Sequence, residues 1–287
     1  MTTGCNLGRQ PRVAGAYGFN HNHTRILPAD NANGGEKMDN LILEGDVREW
    51  VRRLPDLTVN PPMTHLLMLA IRSRKAKEQL GQKMKDLVIE RDIIRAMPGW
   101  RDRYFNAVCN MAVLKEYGRY EFRDITVTPG VTGIFGTVAP RDVMNAVSEL
   151  VKENVTLAFQ HNDEAMYELA KQTSKYFGLL HKHKTGGFHV STVDVDDASI
   201  YPQVRDEVSV LPRYMTTKTS RGYHIILNLS RGEDAMAFYR SDKEHPGILS
   251  KLKLHLKVDI QRDAQEPIPG TRYASVEDIN NYVRIIE

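Results

Sequence analysis

Three aspartates stand at the end of an apolar run in the stretch HVSTVDVDDAS, from His189 to Ser199. A β-strand places every second side chain on one face, so Asp194 and Asp196 are expected on the same face, roughly 6.5–7 Å apart. Two carboxylates at that spacing stay ionised together when a cation or water screens them. Mg²⁺ prefers such hard oxygen ligands, although aspartates at strand ends also serve as turns and helix caps. We expect Asp197 to face outward.

Residues that commonly contact phosphate surround a glycine in the stretch KTSRGYHIIL. Gly222 lets the backbone approach a ligand closely, and lysine, serine and arginine side chains donate hydrogen bonds to phosphate oxygens. The candidate residues are Lys218, Ser220, Arg221 and His224. Strand alternation places His224 opposite the apolar face of its strand, at the mouth of a half-buried surface, although a strand histidine is often a packed structural residue.

A third polar group follows in the stretch KVDIQRDAQEPIPGTRYA. Asp259 is expected on the polar face of an alternating strand, LKLHLKVDI, with Arg262 three residues later. A rigid Pro-Gly turn then ends at Arg272, which is a further candidate phosphate contact.

The order of these three groups resembles the archaeo-eukaryotic primase superfamily, especially the primase–polymerases of plasmids, phages and archaeal mobile elements. Members carry D-x-D on a strand, an S-x-(G-x)-H segment on the next strand, and a late apolar residue followed by Asp. The resemblance implies that Asp194, Asp196 and Asp259 bind Mg²⁺ or Mn²⁺ and are catalytic. It also implies nucleotide binding by Lys218, Ser220, Arg221, His224, Arg262 and Arg272.

The resemblance further implies DNA-templated nucleotidyl transfer: synthesis or extension of primers in the replication of a mobile element or virus. The expected partners are single-stranded or primed DNA, nucleoside triphosphates and a replicative helicase. Relatives with a zinc-binding stem differ from this chain, since Cys5 and Cys109 cannot form one. Many relatives are fused to a helicase, whereas this sequence ends at Glu287, soon after the third group, so we expect a stand-alone enzyme or the catalytic part of a larger replicase.

Composition is compatible with these expectations. The net charge is +3 and the sequence pI about 8.7, which suits a nucleic-acid partner without indicating one. No apolar run reaches the roughly 18 residues of a membrane span, and the N-terminus lacks the apolar region of a signal peptide. We therefore expect no membrane partner and a cytoplasmic location, at the nucleoid or in the host-cell cytoplasm.

The pattern along the chain predicts an α+β protein in three parts. Residues 1–36 are rich in Gly, Asn and His and are predicted to be a disordered arm. Residues 37–123 are predicted to be helical, with basic residues at Arg72, Arg74, Lys75 and Lys77 that form either a solvated helix face or a contact with the DNA backbone. Residues 124–287 are predicted to be the catalytic domain. It is expected to contain short strands, two helices (one from near Pro140, one ending at Gly178), and an RRM-like, mainly antiparallel sheet flanked by helices.

Three other interpretations remain open. The same acids could serve a metal-dependent nuclease or phosphoesterase, or the chain could be a non-catalytic DNA-binding replication protein. A replication initiator with paired histidines is the third, because HKH stands at His181–His183. The HNH at His21–His23 is read as a chance match in a low-complexity segment.

Overall fold

The chain folds into α-helices and antiparallel β-sheets, so the predicted α+β class is confirmed. The computed structural model describes residues 24–27, 41–58, 62–71, 77, 81, 87–122, 125–127, 129–160, 163–170, 172–185, 187–220, 222–241, 246–272 and 282–287. The helices are α1 (Glu44–Arg53), α2 (Trp100–Tyr117), α3 (Val143–Gln160), α4 (Asp163–Ala170), α5 (Gln172–Lys182), α6 (Tyr201–Glu207), α7 (Gly232–Tyr239) and α8 (Ile248–Leu252). The strands are β1 (Thr24–Leu27), β2 (Met63–Ile71), β3 (Leu87–Arg95), β4 (Arg119–Phe122), β5 (Ile125–Val127), β6 (Thr132–Thr137), β7 (Arg141–Asp142), β8 (Val190–Val195), β9 (Arg213–Lys218), β10 (Tyr223–Asn228), β11 (Val258–Arg262), β12 (Gln265–Pro267) and β13 (Arg284–Ile285).

Two larger sheets and one small sheet organise these strands. Sheet I has the order β11-β8-β10-β9-β13, and sheet II has the order β12-β6-β2-β3 with β7 paired to β2. The small sheet has the order β1-β4-β5. All the strand pairs in sheets I and II are antiparallel. Sheet II combines strands from both sides of residue 124, where the sequence predicted a domain boundary.

The two faces of sheet I are buried against different parts of the molecule. On one face, Val193 and Ile225 belong to a cluster with Val204, Phe238 and Leu252 of the helices α6, α7 and α8. On the other face, the alternate residues Val190, Met215 and Ile226 belong to a larger cluster that includes Leu67 and Ile134 of sheet II. Because the side-chain period of a strand is two, Asp194, His224 and Asp259 share the face that is turned toward sheet II.

A single bend carries the chain from sheet I to sheet II. Asp263, between β11 and β12, has a φ of 48°, in the left-handed region that residues other than glycine rarely adopt. Its carboxylate accepts hydrogen bonds from the Val190 backbone N–H and from Lys184. Its carbonyl oxygen accepts a hydrogen bond from the buried guanidinium of Arg141, at 3.0 Å. These bonds hold the bend, and so fix where the edges of the two sheets meet.

The prediction of a helical region from 37 to 123 is wrong for its central part. The stretch from Met63 to Arg95 contains β2 and β3, which pair with each other, and the helices of this region are α1 and α2. All nine residues of β2 are buried. A strand buried on both faces has no polar alternation, so its apolar run resembles that of a buried helix.

Three smaller predictions are also corrected. The predicted strand at 252–260 begins only at Val258, which pairs with Val195, the last residue of β8. No strand in the described part of the chain pairs with the residues of this stretch before Val258. The second helix does not stop at Gly178, which lies inside α5. The arm at 1–36 contains β1, which pairs with β4. The rest of that arm lies outside the described residues.

Candidate active site

Three of the predicted site residues form a row across sheet I. Asp194 on β8 pairs in register with His224 on β10 on one side and with Asp259 on β11 on the other. Directly opposed residues in antiparallel strands have their Cα atoms about 4.5–5.5 Å apart. The row places two carboxylates and an imidazole side by side on one face, at the end of β8.

Negative charge accumulates around the central member of this row. Burial raises the pKa of the Asp194 carboxyl, and the neighbouring Asp196, Glu266 and Asp259 raise it further, whereas His224 acts in the opposite direction. Asp194 is half-buried, with 22% of its side chain exposed, while Asp196 and Asp259 are exposed. The site therefore favours a cation on its carboxylate side.

The other two aspartates of the D-x-D-D stretch have different surroundings. Asp196 follows the last residue of β8, and its backbone N–H donates to the Lys257 carbonyl just before β11 begins. Asp197 accepts hydrogen bonds from Lys257 and from Ser199, which hold its pKa well below its usual range. Asp196 therefore stands beside the row, whereas Asp197 stabilises the turn that follows β8.

His224 lies between two carboxylates from different sheets. Its Nδ1 is 2.8 Å from Oε2 of Glu266 on β12, and its Nε2 is 3.5 Å from Oδ1 of Asp194. Burial alone would lower the pKa of this imidazole, but the hydrogen bond and charge of Glu266, together with the charges of Asp194 and Asp196, raise it above its ordinary value. These carboxylates therefore favour the protonated form of the ring beside the acids of the row.

The turn between β9 and β10 packs directly on the end of β8. Thr219 and Gly222 exchange hydrogen bonds across it, which makes the turn tight. A Cβ atom at Gly222 would overlap the carbonyl oxygen of Val195 and lie 3.2 Å from the Cα of Asp196. Glycine is required here because the backbone of the turn approaches the acid-bearing strand so closely.

The predicted phosphate contacts are only partly brought to the row. Ser220 lies exposed in the tight turn, and Arg221 lies outside the described residues. Lys218 ends β9 opposite Tyr223, which stacks on Tyr201 of α6, so Lys218 belongs to the helix-covered face of sheet I. Ser220 therefore lies in the turn whose Gly222 packs against Val195 and Asp196.

Two arginines are placed elsewhere. Arg262 lies over the ring of Tyr239 on α7, with 4.3 Å between the guanidinium carbon and the ring centroid. It alternates with Asp259 along β11 and so lies on the opposite face. Arg272 is 2% exposed and lies over Tyr282. Neither guanidinium lies in the row, so their predicted contact with the nucleotide has no support in this arrangement.

The sequence interpretation missed Glu266. Its side chain is 3% exposed, and it accepts hydrogen bonds from both His224 and Thr192. A buried carboxylate is costly unless it is paired, so its two partners explain why it is tolerated. In the sequence it stands in AQEPIPG, seven residues after Asp259, where nothing distinguishes it from a surface acid of a loop.

The chemistry of the row fits a divalent cation with oxygen ligands. Within the described residues, no three His, Cys, Asp or Glu side chains are grouped closely enough to hold a metal by themselves. Mg²⁺ commonly uses one or two carboxylates and completes its shell with water and substrate phosphates. Asp194 and Asp259 supply two such carboxylates, with Asp196 beside them, and burial together with the neighbouring acids raises the pKa of Asp194.

The remaining motifs lie away from the row or outside the described residues. The ring of His181 contacts Phe177 and the side-chain amide of Gln265. His183 pairs with Glu149 of α3, so the two histidines have separate partners. The HNH at 21–23 and the basic residues Arg72, Arg74 and Lys75 lie outside the described residues.

Comparisons with known proteins add no relative. No family model matches the chain, and no curated protein or solved structure matches it. Among the helices of the described part of the chain, none has the length and apolar character required to cross a membrane.

Proposed function

We propose that this protein catalyses DNA-templated nucleotidyl transfer, as a primase–polymerase of the archaeo-eukaryotic primase type. The observation that carries the proposal is the registered row of Asp259, Asp194 and His224 on three adjacent strands. The three sequence groups that define the resemblance come from distant parts of the last third of the chain. Their meeting on one face is what a shared site requires, and it supports the proposal.

The topology of sheet I supports the RRM-like part of the interpretation. The chain runs β8, α6, β9, β10, α7 and α8, then β11, and the strands lie in the order β11-β8-β10-β9. This is the β-α-β-β-α-β arrangement with antiparallel strands. The D-x-D stretch then begins at a central strand, flanked by the strands that carry the other two groups.

Each group has a role in the proposed reaction. Asp194 and Asp259, with Asp196, would hold Mg²⁺ or Mn²⁺. Held there, the metal would supply positive charge that lowers the pKa of an attacking 3′-hydroxyl and neutralises a leaving pyrophosphate. His224 donates a hydrogen bond from Nε2 to a phosphate oxygen, and Ser220 donates another from the tight turn. The protein contributes position and charge, since phosphoryl transfer needs little covalent chemistry from side chains.

A primer-free synthesis assay on single-stranded DNA tests the proposal. Labelled nucleoside triphosphates, both ribo and deoxyribo, are supplied with Mg²⁺ or Mn²⁺, and the products are separated by length. We expect template-dependent products from the wild type and none from the Asp194→Asn/Asp196→Asn double variant. Asp206→Asn, at an exposed acid on α6, is the matched control and is expected to retain synthesis.

The other outcomes decide between the rival functions. Shortening of a labelled DNA strand, lost in the same double variant, would make the protein a metal-dependent nuclease. DNA binding without synthesis or cleavage, unchanged in the double variant, would make it a non-catalytic replication protein.

A further inference from the structure

The imidazole of His224 hydrogen-bonds to the buried carboxylate of Glu266, which belongs to sheet II. Glu266 Oε2 accepts the hydrogen bond of Nδ1 at 2.8 Å, and Nε2 on the opposite side of the ring is 3.5 Å from Asp194. A histidine that donates from one ring nitrogen to a carboxylate has its ring orientation fixed and its other nitrogen directed away from that carboxylate. Here the directed nitrogen is the one on the side of the acids.

Glu266 is itself held in place. Its other oxygen accepts a hydrogen bond from the hydroxyl of Thr192, which lies two residues before Asp194 on β8. Its backbone is part of β12, where it pairs in register with Gly136 of β6. Pro267 follows it, and the φ of proline is restricted. A carboxylate fixed at both backbone and side chain orients a ring more closely than a mobile one would.

The polar contacts described above connect Thr192 to Glu266, Glu266 to His224, and His224 to Asp194. Thr192 and Asp194 belong to sheet I and so does His224, whereas Glu266 belongs to sheet II. The orientation of the ring therefore depends on the relative position of the two sheets. Burial of the Glu266 carboxylate is tolerated because both of its oxygens accept hydrogen bonds. Apolar residues could fill the same volume without needing such partners, so the fold alone does not require a glutamate here.

We propose that Glu266 is a positioning residue, which fixes the His224 ring so that Nε2 is presented to the phosphates of the incoming nucleotide. This rests on the proposed function, since it assigns His224 to the nucleotide. Glu266 acts through His224 and has no contact of its own with substrate in this proposal. Its loss therefore weakens nucleotide binding by freeing the ring, while the acids remain in place.

The kinetic test is a double-mutant cycle on primer extension. Glu266→Gln, which keeps the shape of the side chain, is expected to raise KM for the nucleotide about 10- to 100-fold with a smaller change in kcat. Glu266→Ala is expected to raise it further. In a His224→Ala background, changing Glu266 is expected to have no further effect on KM, because the ring on which it acts is absent. Losses that multiply in the double variant would show that Glu266 acts independently of His224 and would overturn the proposal.

A second measurement does not depend on activity. Two-bond ¹H–¹⁵N NMR of protein labelled with ¹⁵N-histidine reports which ring nitrogen of each histidine carries a hydrogen-bonded proton. The His224 signals are identified by their absence in His224→Gln. We expect the Nδ1 signal of His224 to change in Glu266→Gln, with thermal unfolding showing that this variant is folded. An unchanged signal would overturn the positioning role, whereas a changed signal in a protein without synthesis would overturn the proposed function and leave the orientation of the ring by Glu266 standing.

Discussion

Asp194 and Asp259 lie directly opposite each other on adjacent strands, although 65 positions of sequence numbering separate them. Like charges directly opposite in an antiparallel pair destabilise the sheet, by up to about 1 kcal/mol. The chain therefore retains an unfavourable pair at the end of β8. In the proposed function, a divalent cation and a nucleotide relieve that repulsion when they bind.

Removing one of these charges separates activity from stability. Asp259→Asn is expected to reduce nucleotide incorporation at least about 100-fold, because the metal loses a ligand and the transition state loses charge stabilisation. The free energy of unfolding is expected to stay the same or to rise by up to about 1 kcal/mol, because the repulsion is gone. Primer extension and urea unfolding measure the two effects. Incorporation at the wild-type rate would remove Asp259 from the site.

The close approach at Gly222 predicts a large effect from one methyl group. Gly222→Ala is expected to lower both stability and incorporation, since its Cβ would overlap the Val195 carbonyl and push the turn away from Asp196. Gly178→Ala is the matched control, because Gly178 lies within α5 with open space around its Cβ position. That change is expected to stabilise the protein by roughly 0.5–1 kcal/mol. Equal thermal unfolding of the two variants would contradict the described packing.

The buried histidine His65, which lies outside the candidate site, predicts how the stability of the protein depends on pH. Burial of His65 lowers its pKa from 6.5 to about 4. The unfolded state then binds a proton that the folded state does not, so stability falls as pH decreases from about 6.5 to about 4. For His65 alone the loss is on the order of 3 kcal/mol.

Urea unfolding at a series of pH values checks this slope. We expect His65→Asn, though less stable at neutral pH, to show a smaller fall between pH 6.5 and 4. If His65→Asn loses stability with pH as steeply as the wild type, the titrating group lies elsewhere.

The bend at Asp263 predicts a ranking of substitutions. Asparagine adopts positive φ more readily than most residues with a side chain, and it keeps an acceptor for the Val190 N–H. Asp263→Asn is therefore expected to lower the free energy of unfolding by at most about 1 kcal/mol. Asp263→Val is expected to cost about 2 kcal/mol or more, because it is β-branched and leaves that N–H unpaired. Chemical unfolding of both variants checks the order, and a valine variant as stable as the asparagine variant would contradict the strain at this bend.

The sequence alone predicted the acids and the histidine because their types and their strand ends can be read locally. Their registration could not be read locally, since it depends on which strands become neighbours in sheet I. Strand β9 was not predicted at all, and it separates β10 from the sheet's edge strand β13.

Errors arose where a pattern is ambiguous or depends on a distant partner. The fully buried β2 has the composition of a buried helix, and its pairing with β3, β6 and β7 makes it a strand. Leu254 and Leu256 alternate as strand residues do, yet they are exposed because β8 ends before it reaches them. Glu266 could not be recognised because its partner His224 lies on the other sheet.

The strands of sheet II are synthesised at widely separated times. Strands β2, β3 and β6 leave the ribosome early, whereas β12, which covers the free edge of β6, is made only after all of β8–β11. Until then the buried segment TGIFGT has an unpaired edge, and such edges invite association with other chains. More than a hundred residues are therefore translated before the free edge of β6 gains its partner strand. That partner, β12, also carries Glu266.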